Sequence, residues 1–171
     1  MRATTLMKSL IVAGAATLAL SASAATTLSK GDQTILIGMA QANMAEVAAG
    51  KMALEKSSNA DVKKFAQAMV DDHSKALDSV TEVAKAKEVT LPTEPDAAHK
   101  TMAARLQKMS GDAFDKAYMK EAGVSDHSKV HVKLMKDEKA AKDADVKALA
   151  AKMLPTVAAH LETAKAAPMM K

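Results

Sequence analysis

From Asn59 to Lys87 the sequence carries an unbroken apolar stripe with one histidine set into it. Val62, Phe65, Ala66, Met69, His73, Ala76, Leu77, Val80 and Ala84 recur mostly at spacings of three and four, which places them on one face of an α-helix. An ionisable ring therefore points where a core should be. Two later stretches repeat the device with His127 and His160. The three rings either meet around a metal ion or pack separately.

Nothing in the chain alternates with the period of two that a half-buried strand requires. Aromatic residues make up only 2% of the sequence, limited to Phe65, Phe114 and Tyr118, so the core must be Ala, Val, Leu and Met on closely approaching helices. The chain reads as all-α. A first helix is predicted over about Gln33–Lys56, started by Ser29 or Asp32 and closed at Ser57-Ser58-Asn59. Asn59 is suited to cap the second helix, and Asp61 sits in its favourable first turn. A loop of about three residues makes these two helices antiparallel neighbours. The second helix ends near Lys87, and Glu88–Pro92 follows no clear pattern. Thr93-Glu94-Pro95-Asp96 reads as a capping box with proline in the first turn, opening a short third helix to about Met109 that Ser110-Gly111 breaks.

Asp112 is the predicted cap of a fourth helix, which carries Phe114, Tyr118, Val124, His127, His131 and Leu134 to about Ala140. Gly123 inside it implies a kink or a close helix contact, since glycine there costs roughly 1 kcal/mol against alanine. Asp143 opens a fifth helix with the stripe Val146, Leu149, Ala150, Met153, Val157, His160, Leu161 and Ala164. Pro155 interrupts that stripe and should bend the helix. Two hairpins of long helices, joined by a segment holding a short helix, make a ferritin-like four-helix bundle with one long crossover. At about 16 residues the third helix would span roughly 24 Å.

The start of the chain reads as an export signal. Arg2 and Lys8 form a positive n-region, Ser9–Leu20 an apolar run too short to span a bilayer, and Ala22-Ser23-Ala24 an A-x-A cleavage site. Cleavage is expected after Ala24, giving a signal peptide at 1–24, an N-terminal extension at 25–32, the bundle at 33–166 and a frayed tail at 167–171. The expected location is periplasmic or secreted. Losing Arg2 and Lys8 lowers the formal charge from +4 to +2. Lysines alternate with acids, and no basic cluster is interleaved with aromatics, so nucleic acid is not expected as a partner. The chain has no cysteine. That removes disulfides, thiolate ligands, thiol catalysis and an acyl anchor, and leaves burial to stabilise the domain.

Several short motifs share one order: Ala45-Glu46-Val47; Val62-Lys63-Lys64-Phe65-Ala66 leading into Met69-Val70-Asp71-Asp72-His73; Phe114-Asp115-Lys116-Ala117-Tyr118 before Asp126-His127; and Leu154-Pro155 before His160-Leu161. In this order the chain resembles the exported bacterial ferritin-like family catalogued as domain of unknown function 4142, over nearly its whole mature length. The resemblance implies an export signal and a ferritin-like bundle, and brings no reaction with it.

The di-iron sites of ferritin-like proteins use Glu-x-x-His on two helices. That motif is absent here. Asp72-His73 and Asp126-His127 do not replace it, because adjacent side chains on a helix diverge by about 100°. A mononuclear site is easier to build. Counted from the loop near Ser58, Glu46 and His73 lie within about 5 Å of the same height. Counted from the loop near Ala141, His127 and His160 differ by about 8 Å. Glu46, His73 and His127 are thus the expected metal residues, with His160 a fourth and His131 secondary. Zinc, copper, iron or nickel suits such ligands, provided the rings are neutral, and affinity is expected to fall below about pH 6.

The alternative is that each ring packs with one nitrogen bonded to a neighbouring helix, for instance to Glu46 or Tyr118. Of thirteen methionines, Met69, Met135 and Met153 fall near His73, His131 and His160, a pattern that suits Cu(I) or simple filling of an aromatic-poor core. His99, beside Asp96, is expected at the surface. No hydrolase motif or phosphate loop is present, and no catalytic residue is assigned. Two functions remain open: a metal-binding bundle for storage, buffering or envelope stress protection, and a metal-free module that recognises an envelope partner or a second copy of itself.

Overall fold

Residues 28–168 are described by a computed structural model, and every element among them is helical. Helix α1 spans Lys30–Lys56, α2 Ala60–Ala86, α3 Ala97–Gln107, α4 Gly111–Tyr118, α5 His127–Ala140 and α6 Ala144–Ala166. Between α4 and α5 the residues Met119–Asp126 form a π-helical segment, so that α4, this segment and α5 make one continuous rod. The expected signal peptide, the first residues of the extension and the end of the tail lie outside the described residues. No described helix is long and apolar enough to cross a membrane.

Caps start most helices. Ser29 accepts from the amide of Asp32, Asn59 from Asp61 and Val62, and Asp143 from Asp145 and Val146, each satisfying amide groups that have no partner within the first turn. Two expected starts are corrected. The third helix begins only at Ala97, because Asp96 itself caps it by accepting from the amide of His99. Its 11 residues then span only about 16 Å. The fourth begins at Gly111 with Ser110 before it and no side-chain cap, leaving Asp112 inside the first turn. Gly111 has φ +56°, a left-handed turn open to glycine. Pro155 lies within a single continuous helix.

The ends of the rods are tied together, and the ties fix their directions. At one end the amide of Lys142 donates to Asp32 (3.0 Å), and Lys87 reaches Asp143 (2.8 Å). At the other end Lys56 donates to the carbonyl of Gln107 (2.9 Å), and its ammonium lies 5.7 Å from the centre of the Phe114 ring. Helices α1 and α6 therefore run one way, and α2 and the α4–α5 rod the other. The segment between α2 and α4, which holds α3, crosses the length of the bundle.

The core is divided in two. One apolar cluster joins Leu36, Met39, Val80, Leu134, Val146 and Val157; the other joins Phe65, Met69, Leu106, Phe114, Tyr118 and Ala164. Along every long rod the residue between these clusters is polar and buried: Asn43 and Glu46 on α1, His73 on α2, His127 on α5 and His160 on α6. A hydrophilic layer thus crosses the middle of the bundle.

Candidate metal centre

The three buried histidines come from three different rods and face one another. Ring centroids lie 5.5 Å apart for His73–His127, 5.3 Å for His73–His160 and 5.5 Å for His127–His160. One nitrogen from each ring lies within 4.8 Å of the others.

The local fold of each rod sets its ring. Nine residues at 100° each would leave Tyr118 and His127 on opposite faces of an α-helix. The π segment holds more residues per turn and brings both into the core, so His127 is buried while His131 is half-exposed. Gly123, inside the segment, packs so tightly on α6 that a Cβ there would lie 2.8 Å from the Cβ of Ala164. The 8 Å height mismatch expected for His127 and His160 shrinks for two reasons. Measured from the ends of α5 and α6 rather than from the loop, thirteen rises oppose sixteen, about 4.5 Å. Side chains also lean toward the N-terminus of their helix, which moves the His127 ring away from the loop and the His160 ring toward it.

Every ring is tied on its outer side. The amide nitrogen of Asn43 donates to the carbonyl of Met39, so its oxygen must accept from His73 Nδ1 at 2.8 Å. His127 Nδ1 donates to the carbonyl of Ala122 at 2.8 Å, and His160 Nε2 to Asp72 Oδ2 at 3.1 Å. These bonds fix the tautomers. The remaining nitrogens, His73 Nε2, His127 Nε2 and His160 Nδ1, are buried without any partner. Burial first, and then the neighbouring His127 and His160, lower the pKa of His73 to about 3. Burial likewise lowers that of His127. Both rings are neutral at ordinary pH, the form that binds a metal.

Glu46 is wholly buried, with its Oε1 3.7 Å from His127 Nδ1. That is the tied side of the ring, so the carboxyl group stands behind His127, and the mutually close ligand atoms belong to the three rings. Burial and then the charge of Asp126 raise the Glu46 pKa well above the usual carboxyl range. Both of its oxygens are buried without a hydrogen-bond partner. Burial alone would raise Asp126 too, but the hydrogen bond with His99 holds Asp126 low. His99 is not a surface residue as expected. Its ring is 13% exposed and sits between Asp96 (2.8 Å) and Asp126 (3.3 Å), and the bond to Asp126 raises its pKa. Burial pushes the Tyr118 phenol up, and its hydroxyl has no partner.

Met69 and Met153 belong to the two apolar clusters, while Met135 is 43% exposed. Sequence reasoning missed Asp72, Asn43 and Asp126. The divergence of adjacent side chains holds for Asp72-His73 and Asp126-His127, but its consequence is that each aspartate serves another residue: Asp72 serves His160 across the bundle, and Asp126 serves His99. The adjacency itself was the available signal.

Fold and site together define an all-α helical bundle crossed by a buried cluster of three imidazoles. The chain matches the model of the family described as "Domain of unknown function (DUF4142)" over residues 17–167, and it belongs to that family. No curated protein and no solved structure matches it.

Proposed function

We propose that this chain is an exported ferritin-like bundle that holds one transition-metal ion through His73, His127 and His160, for storage, buffering or protection of the envelope rather than turnover. The observation carrying this reading is the set of three unpartnered, buried ring nitrogens that converge from separate rods. A buried polar atom without a partner costs about 1–3 kcal/mol, and three together are most simply explained by a cation they share. A triangle with sides of at most 4.8 Å leaves its centre no more than about 2.8 Å from each nitrogen, against the roughly 2.0–2.1 Å of a zinc–imidazole bond. Each ring need move in by less than about 1 Å. Neutral imidazoles suit zinc or copper, and outer partners that fix each tautomer are the usual support of metal-bound histidine. Glu46 is assigned a place behind His127, and His131 none.

Zinc titration of protein purified from the periplasm without an affinity tag tests this. One tight site per chain is expected in the wild type and in His99→Ala. His73→Ala, His127→Ala and His160→Ala should lose it. Equal affinity in all five proteins would overturn the reading.

A further inference from the structure

A cleft of about 250 Å³ runs between α2 and α6, lined by Asn43, Asp72, His73, Ser79, Lys152 and Thr156 among others. His73 is at once part of its wall and part of the cluster. A larger cleft of about 380 Å³, against α3, is lined by Asp96, His99 and Asp126 and by none of the three rings. The buried Glu46 carboxyl group lies behind His127, 3.7 Å from its tied nitrogen.

The outer partners of the three rings are not alike. Those of His73 and His127 are uncharged: Asn43, which is buried, and the carbonyl of Ala122. That of His160 is the carboxylate of Asp72, which is 40% exposed and lies in the cleft wall. Its Oδ2 is taken by His160. Its Oδ1 meets only the ammonium of Lys75, 3.8 Å away and 77% exposed. One carboxylate therefore faces solvent with one oxygen and touches the cluster with the other. Across the mouth, Lys152 on α6 reaches the hydroxyl of Ser79 on α2 at 3.3 Å.

We infer that the α2–α6 cleft is the route by which a divalent cation reaches the three rings, and that Asp72 is its first protein ligand on the way. This rests on the metal reading proposed above. The hydrated ion exchanges a water for Asp72 Oδ1, then further waters for the free nitrogens of His73, His160 and His127, with no bond made or broken in the protein. The Lys152–Ser79 contact is a cationic strap over the mouth that the ion must pass. Asp72 is thus a positioning residue for His160 and a landing site for the metal.

The test is the rate at which Co(II), followed by its visible absorption, loads metal-free full-length protein in stopped flow. Asp72→Asn should slow association about tenfold and flatten its dependence on ionic strength, as expected when a steering charge is lost, while Asp72→Glu restores both. Thr156→Trp, which fills the cleft, should slow association and dissociation alike and leave the equilibrium affinity within about threefold; Ser79→Trp does the same from the facing helix if Thr156→Trp does not fold. Lys152→Gln should load faster than the wild type. Ala98→Trp, in the wall of the other cleft, should load at the wild-type rate. Wild-type loading rates in Asp72→Asn and in the folded tryptophan variant, or equal slowing by Ala98→Trp, would overturn the route while leaving the site. Failure of the wild type to bind Co(II) at equilibrium would overturn the metal reading and the route with it.

Discussion

His73 is tied to Asn43 at Nδ1 and free at Nε2, and both halves of that statement bear on stability. His73→Ala removes a buried hydrogen bond and leaves a cavity, and should cost about 1–3 kcal/mol in chemical denaturation. The pH dependence has a definite sign. The folded pKa, about 3, lies below the roughly 6.5 of an unfolded histidine. As pH falls, the unfolded chain takes up the proton first. The contribution of His73 is complete above about 6.5 and is lost as pH falls toward 3, at roughly 1.4 kcal/mol per unit. Metal-free wild type should therefore lose stability more steeply than His73→Gln between pH 6 and 4, by that slope; parallel curves would show a ring that stays in contact with water. For the metal ion proposed above, the same depression weakens the competition of protons for His73. Glu46 behaves oppositely, since its pKa is raised. Its contribution is present below the ordinary carboxyl range and lost as pH rises. Glu46→Gln puts a neutral group of the same shape in place of the buried acid, so at pH 7 it should change the unfolding free energy by less than about 1 kcal/mol, or raise it, whereas Glu46→Ala should cost about 2–4 kcal/mol.

The rod formed by α4, the π segment and α5 is where local pattern and tertiary demand part company. Gly123→Ala would gain about 1 kcal/mol by helix propensity alone. The added Cβ would meet Ala164 at 2.8 Å, and overpacking of that kind costs about 1–3 kcal/mol. A lowered melting temperature is expected. The sequence made the long helices, their caps at Asn59 and Asp143 and the antiparallel hairpins legible, because each depends on residues within a few positions of one another. The π segment was hidden because a period of 3.6 was applied throughout. Its trace is the step of five from Ala122 to His127, where spacings of four run from Phe114 through Tyr118 to Ala122. The convergence of His73 and His127 was readable from phase and height. His160 was misplaced in height because rises were counted through a loop, and Glu46 drew attention as a ligand because sequence shows its face and not the side of His127 on which it lies. Asp72 as a partner of His160 depends on packing between helices far apart in the chain, which no local spacing encodes.

At the scale of the whole molecule, binding of the proposed metal ion would be linked to folding. An ion at a hundred times its dissociation constant stabilises the folded state by about 2.7 kcal/mol, which for a chain of this size raises the melting temperature by about 5–10 °C. Zinc should produce that rise in wild type and His99→Ala, and none in His127→Ala, by differential scanning calorimetry. Export belongs to this scale as well. The intact mass of protein recovered from the periplasm should correspond to a chain beginning at Ala25; a mass that includes Met1–Leu20 would refute it. Finally, the hydrophilic layer between two apolar clusters gives the bundle a weak waist. Both ends are clamped by Phe114 and Leu106 on one side and by Leu36 and Val146 on the other, while the middle holds nitrogens that gain solvation whenever the rods part. Without an ion, the amides around His73 and His160 should exchange hydrogen for deuterium ahead of those at either end, and metal would act there as a rivet.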